Sequence, residues 1–176
     1  MMRGGVKDIS KKIISKLPVS VTNLIFHNKI YGRVGNVLQI SGARMHRCEI
    51  NFKQKSNRVV LGEGSILKNC RFLFFGSDNT VEIGKNCYLN GATFWVEDDG
   101  NVVVLHDNIT VQDAVQFACM EGTKISVGED CMFSSNITLR TGDSHSITDL
   151  NGNRTNPSGD ITLGKHVWVG EGVVVL

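Results

Sequence analysis

One histidine stands in a polar stretch suited to proton transfer. The segment Arg140-Thr-Gly-Asp-Ser-His-Ser-Ile-Thr-Asp149 sets His145 between two hydroxyls, with carboxylates at Asp143 and Asp149. Imidazole changes charge close to neutral pH, so it can take a proton and return it. A nearby carboxylate can orient the ring and raise its basicity, and Asp143 and Asp149 are close in sequence. A solvated loop histidine without chemistry fits the same residues. Further on, Ile161-Thr-Leu-Gly-Lys-His-Val-Trp-Val-Gly170 presents Trp168, whose indole N–H can donate a hydrogen bond.

The remaining histidines point to less. His106 falls in a turn position where a residue tolerant of unusual backbone angles is wanted. His166 is a variable turn residue, and His27 and His46 lie in an irregular region. No pair has the close spacing of a metal-binding HxxxH, so no metal centre is expected. The five cysteines, Cys48, Cys70, Cys87, Cys119 and Cys131, are odd in number and include no CxxC. With no signal peptide, they read as reduced, mostly buried thiols of a cytoplasmic protein.

The elements that must position these residues follow from a repeat. Five rows align without gaps: Val59–Leu67, Val81–Leu89, Val103–Val111, Ile125–Phe133 and Ile161–Val169, with Leu38–Gly42 as a weaker earlier copy. Their turn positions are Gly62, Gly84, His106, Gly128 and Gly164: three steps of 22 residues, then one of 36. Leu61, Ile83, Leu105, Val127 and Leu163 are all aliphatic. Ser65, Cys87, Ile109, Cys131 and Val167 are small or medium, and Leu67, Leu89, Val111, Phe133 and Val169 are apolar. At the same period, Cys70, Ala92, Ala114 and Asn136 form a small column, and Leu73, Trp95, Phe117 and Leu139 a large one. Like residues at a fixed period mean stacked coils of a solenoid, because a single coil cannot bury its own apolar edge. A β-sandwich would give short recurrent strands without aligned columns.

The 36-residue step contains 14 extra residues between Thr141 and Asp160, rich in Gly, Asn, Asp and Ser. Such a composition is a surface loop, and a rigid scaffold that carries one long polar loop commonly uses it for function. Trp168 belongs to the column Ile66, Tyr88, Thr110, Met132, Trp168, which lies between two inward columns and so points outward. An outward tryptophan asks for cover from a ligand, a neighbouring subunit or the loop itself. The expectation is that His145 sits beside this column, near where a second subunit would lie.

Composition sets the outer bounds. The chain has 176 residues, 41% hydrophobic and 20% charged, with 19 glycines and 2 prolines. That suits one soluble domain of strands and tight turns. A net charge of +2 gives no general nucleic-acid footprint. No apolar run is long enough to span a membrane. Residues 6–17 place Val6, Ile9, Ile13 and Leu17 at helical spacing, with Lys7, Lys11, Lys12 and Lys16 mostly off that face and Pro18 following. This short helix either docks on the main domain or makes weak contact with a membrane surface. The expected organisation is a helical segment over 1–20, an irregular approach with first coils over 21–58, and a β-helix over 59–176 with the loop 141–160 inserted.

The rows are similar to the hexapeptide repeat of left-handed parallel β-helix proteins. In that family a coil is a triangle of three short strands, usually shorter than 22 residues, so each coil here should carry an extra turn or bulge at one corner. The loop Gly142-Asp-Ser-His145-Ser-Ile followed by Gly164-Lys-His-Val-Trp168-Val-Gly170 further resembles the hexapeptide-repeat O-acetyltransferases that modify capsular, lipopolysaccharide or sialic-acid-containing sugars. The likeness covers about residues 59–176. It implies an acyltransferase with acetyl-CoA as donor and a sugar hydroxyl of a surface polysaccharide, or of its precursor, as acceptor. His145 would be the catalytic base, Trp168 an active-site wall or hydrogen-bond donor, and Asp143 a helper. The residues do not fix the donor site; the resemblance implies contacts from Trp168, Gly170 and the family's further C-terminal coils. The family's usual further coils would follow the break at Glu171–Leu176, so the chain reads as truncated. The family also implies a homotrimer with sites at its interfaces. An N-acetyltransferase of an amino-sugar nucleotide and a non-catalytic β-helix module remain open alternatives.

Overall fold

The computed structural model describes residues 26–176. The helix expected over residues 6–17 lies outside the described residues. From Lys29 onward the chain winds as an all-β solenoid whose sheets are all parallel. The first sheet stacks Lys29–Tyr31, Glu49–Phe52, Arg71–Phe74, Thr93–Val96, Val115–Cys119, Ile137–Arg140 and Val174–Val175. The second stacks Val37–Ile40, Arg58–Leu61, Thr80–Ile83, Val102–Leu105, Lys124–Val127 and Ile161–Leu163. The third stacks Arg44–His46, Ile66–Lys68, Tyr88–Asn90, Thr110–Val111, Met132–Phe133 and Trp168–Val169. Each coil passes through the second, third and first sheets in that order. Strands of two to five residues alternate inward and outward side chains, so each coil sends a few apolar residues into a shared core.

The register reproduces the sequence columns on two of the three faces. Leu38, Val59, Val81, Val103, Ile125 and Ile161 stand directly over one another. Met45, Leu67, Leu89, Val111, Phe133 and Val169 do the same on the third sheet. The first sheet corrects the expected large column. Phe117 and Leu139 stack with Phe94, Phe72 and Ile50, while Leu73 and Trp95 belong to the outward neighbouring column with Ala118 and Arg140. The reason is a compensated shift. One extra residue, Asp113, enters the corner before Ala114, and one fewer separates Phe117 from Ile125, so the period of 22 survives while the first sheet slips by one. Asp113 caps the backbone N–H of Ala114, which adopts a left-handed φ of 57°. The expected small column is split likewise: Cys70 and Ala92 are inward, whereas Ala114 and Asn136 occupy the left-handed corner with Asn69 and Gly91.

A second correction concerns the glycine rows. Gly62, Gly84 and Gly128 are needed for space, not for unusual angles: a Cβ at Gly62 would run into the backbone of Gly84, and one at Gly128 into Gly164. The left-handed residue lies two positions later, at Gly64, Asn86, Asn108, Asp130 and His166. His106 therefore occupies a place of close approach, and His166, with φ of 57°, is the histidine in the strained turn.

The core is a stack of aromatic and aliphatic layers. Phe72, Phe94 and Phe117 stack with centroids 4.6 and 5.2 Å apart, and Phe133 closes the row edge-on at 5.5 Å. Such pairs add about 0.5–1.5 kcal/mol each beyond the area they bury. The corner between the first and second sheets is held by a ladder of polar side chains, fully buried from the second coil on. The half-buried Asn36 and the fully buried Asn57, Asn79 and Asn101 each accept, at Oδ1, the backbone N–H of the residue one coil on, and the Thr123 N–H donates the last of these bonds. The Nδ2 groups of Asn57 and Asn79 donate to the carbonyls of Gly76 and Asp98. This ladder satisfies backbone groups that a tight corner would otherwise leave unpaired.

Candidate functional site

The long loop starts where the ladder stops. Thr141 accepts hydrogen bonds at Oγ1 from the Met120 N–H (3.1 Å) and the Thr123 hydroxyl (2.7 Å). The chain leaves the first sheet at Arg140 and rejoins the second at Ile161. Its mouth is closed by the Gly159 N–H on the Thr141 carbonyl at 2.8 Å. Inside, Thr148 and Arg154 form an antiparallel bridge, and the Thr155 N–H reaches the Ile147 carbonyl at 2.7 Å. Arg154 pairs with Glu121 at 2.8 Å, tying the loop to the coil before it and holding the Glu121 carboxyl below the usual range. The loop is thus a folded unit on the corner.

His145 is exposed at the tip of a clamp. Its backbone N–H donates to Asp143 Oδ1 at 3.2 Å, and its carbonyl accepts from Asn156 Nδ2 at 2.7 Å. The same Asn156 amide reaches both Asp143 oxygens at 2.9 Å, and its Oδ1 accepts the Ile147 N–H. These bonds, with the His145 N–H foremost, lower the Asp143 pKa. The expected role for the carboxylates is corrected here: neither Asp143 nor Asp149 orients the ring. Asp143 holds the backbone of His145, and Asp149 is occupied within its own turn by Asn151 and Asn153.

A second polar chain lies beside the clamp. Arg140 Nη2 donates to Ser144 Oγ (3.0 Å), and the Ser144 hydroxyl donates to Glu97 Oε2 (3.1 Å), which also accepts the Trp95 Nε1–H (3.2 Å). Ser144 adopts a left-handed φ of 60° and rests on Met120, which is fully buried just after the strand Val115–Cys119. An open groove lined by Gln54, Phe75, Gly76, Ser77, Glu97, Asp98 and Asp99 continues along this corner. Sequence reading missed Asn156 and Glu97. Asn156 looked like one more turn-forming residue, and Glu97 is 47 positions from its partner Ser144.

Trp168 is outward, as its column requires, and 73% exposed, beside Met132 at 54%. It lies on the third sheet, the face opposite the corner from which the loop departs. One chain therefore does not bring His145 and Trp168 together, contrary to expectation. Gly170 begins the corner after Trp168 and is half-buried.

The five thiols are free and buried, and burial raises the Cys87 and Cys119 pKa values. Cys70, beside Cys48, is pushed well above the ordinary thiol value by that neighbour and then by burial. Raised and enclosed in this way, Cys70, Cys87 and Cys119 are poor nucleophiles, while Cys48 is lowered, chiefly by its hydrogen bond to Cys70, and is buried like them. Among the described residues no group of three His, Cys, Asp or Glu side chains could hold a metal ion. None of their helices is long and apolar enough to cross a membrane.

No protein-family model matches the chain. A polysialic acid O-acetyltransferase of Neisseria meningitidis is 36% identical over 89 residues, which are 46% of this chain and 41% of that enzyme. A polysialic acid O-acetyltransferase of Escherichia coli O1:K1 / APEC is 36% identical over 53 residues, 30% of this chain and 17% of that enzyme. This chain is similar to hexapeptide-repeat O-acetyltransferases. The chain spans less than half the length of the curated relatives it matches. Among solved structures, the polySia-specific acetyltransferase NeuO superposes with a TM-score of 0.74 at 22% identity, over 84% of this chain and 66% of that one. The polysialic acid O-acetyltransferase OatWY superposes with a TM-score of 0.57 at 23% identity, over 84% and 68%. These two superpositions carry the fold.

Proposed function

We propose that this chain is an O-acetyltransferase that moves an acetyl group from acetyl-CoA to a sugar hydroxyl of a sialic-acid-containing surface polysaccharide, with His145 as general base. The observation that carries this reading is the clamp: an exposed histidine held by its own backbone on a folded loop, in a chain similar to polysialic acid O-acetyltransferases. The imidazole takes the hydroxyl proton as the sugar oxygen attacks the thioester carbonyl. The carbon–sulfur bond then breaks, and the proton passes to the departing thiolate. Holding hydroxyl and carbonyl together supplies much of the acceleration. Trp168, as wall or hydrogen-bond donor, would reach this histidine only from a second copy of the chain, which makes a closed homo-oligomer, a trimer in this reading, part of the proposal.

The test is acetyl transfer by the purified chain to polysialic acid, followed by thiol release. His145→Ala should lower turnover by about 10²–10⁴-fold. Equal turnover in the two proteins would reject His145 as the base. An acetyl group stable to mild alkali would mark an amide product and favour the amino-sugar alternative.

A further inference from the structure

The net charge of +2 hides a strong division along the solenoid. Residues 26–71 contain nine Lys or Arg and two Asp or Glu, whereas residues 72–160 contain four and thirteen. The first coils are basic, and the coils around the His145 loop are acidic. The acidic end includes Glu97, Asp98 and Asp99 of the groove, together with Glu121, Asp143 and Asp149. A polyanion is repelled where the proposed chemistry occurs, so its attraction must come from elsewhere.

The basic residues are not evenly spread. Arg44 projects from the third sheet, Arg47 occupies the corner that follows, Lys68 lies one coil on beside His46, and Arg71 continues on the first sheet. All four are exposed. Arg44 and Arg47 lie on one coil and Lys68 and Arg71 on the next, and neighbouring strands are about 4.8 Å apart, so the four cations form a short ridge across one corner. Lys29 is close to it, in register with Glu49, the one acid within the ridge, and Glu49 also registers with Arg71. Among the described residues, ion pairs form at Arg58, Arg154, Lys165 and His166 and at none of the four ridge cations. Tyr88 lies under Lys68, its ring centroid 5.2 Å from Nζ, and adds an aromatic surface to one end of the row. The exposed Val34 and Val37 lie toward the corner between the first and second sheets, away from the ridge. The ridge is therefore polar, as a hydrated polymer requires, and lacks the interleaved apolar side chains of a bilayer-binding surface.

We propose that the ridge Arg44, Arg47, Lys68 and Arg71 binds an extended polyanionic polysaccharide and holds it while a distant residue of the same polymer reaches His145. This rests on the acetyltransferase reading for its second half only, because polymer binding can be measured without turnover. The experiment compares the full chain with R44A/R47A/K68A/R71A and with a charge-matched control at the other corner, R33A/K53A/K55A/R58A. Binding of long polysialic acid is measured at low and high salt, alongside binding to vesicles containing anionic lipid. Turnover is measured on the long polymer and on a sialic acid dimer.

The ridge variant should weaken polymer binding and raise the polymer KM by about tenfold or more, with kcat and dimer turnover unchanged. Its binding should also depend less on salt, since screened charges carry the contact. The control should change binding by less than about threefold. Polymer binding unchanged in the ridge variant, equal weakening in both variants, or binding to vesicles without binding to polymer would each overturn the proposal. If the quadruple variant does not fold, R47A/K68A replaces it under the same criteria. If wild type transfers no acetyl group to any sugar, the acetyltransferase reading fails, and the binding arm still decides the ridge.

Discussion

At the scale of single residues, the position of His145 depends on Asn156. One side-chain amide donates to the His145 carbonyl and to both Asp143 oxygens, while its oxygen receives the Ile147 N–H. Misplacement of a catalytic group by about 1 Å can cost about 10²-fold in rate. Asn156→Ala should therefore lower kcat by about tenfold or more and leave the acceptor KM within about twofold. Asn156→Asp should be at least as damaging, because it turns a donor into a second carboxylate facing Asp143. If N156D retained full kcat, the clamp would be irrelevant to the reaction. The same contacts set a pH limit. Asp143, Asp149 and Glu121 all have depressed pKa values, held down chiefly by the His145 N–H, the Asn153 side chain and Arg154 respectively. A depressed carboxylate contributes stability above its unfolded value and loses it as pH falls through the folded one. Amide protection factors within 141–160, with the intrinsic pH dependence of exchange divided out, should be flat from pH 8 to about pH 5 and fall as the pH drops through and below the ordinary carboxylate range, where these carboxylates take up protons.

At the scale of elements, the corner ladder explains why the loop is tolerated where it is. Asn79 is fully buried, accepts from the Asn101 N–H at 2.7 Å and donates to the Asp98 carbonyl at 2.8 Å. Asn79→Ala would strand a donor and an acceptor, each costing about 1–3 kcal/mol. A loss of roughly 2–5 kcal/mol is expected from denaturant unfolding. Asn36→Ala, half-buried in the first coil, should cost less. A similar loss at both positions would show that the ladder does not act through burial.

This is also the scale at which the sequence was most and least legible. A period of 22 predicted the stacked rows, because identical core contacts recur on every coil. It could not show that Asp113 moves the first sheet by one residue, because the next corner restores the count. The asparagines at 57, 79 and 101 share that period, but their polarity did not announce burial. The loop's extent followed from counting; the clamp did not, since Asn156 contacts residues through a fold that turn composition leaves open.

At the scale of the whole molecule, the separation of His145 and Trp168 makes the proposed chemistry a property of an assembly. Both face solvent from opposite sides of one solenoid, and Trp168 with Met132 leaves an apolar surface that a second copy could cover. In a closed ring each interface would join the histidine loop of one copy to the tryptophan face of the next. Subunits carrying His145→Ala keep a working Trp168, and subunits carrying Trp168→Ala keep a working His145. Each variant alone should lose most activity. Co-expressed in equal amounts and assembled at random, about one quarter of the interfaces should contain both native residues and recover about one quarter of wild-type turnover. Mixing after separate purification should restore less if the assembly does not exchange copies. If the co-expressed protein assembles but is no more active than either variant, His145 and Trp168 do not act across an interface, and the role given to Trp168 must be withdrawn.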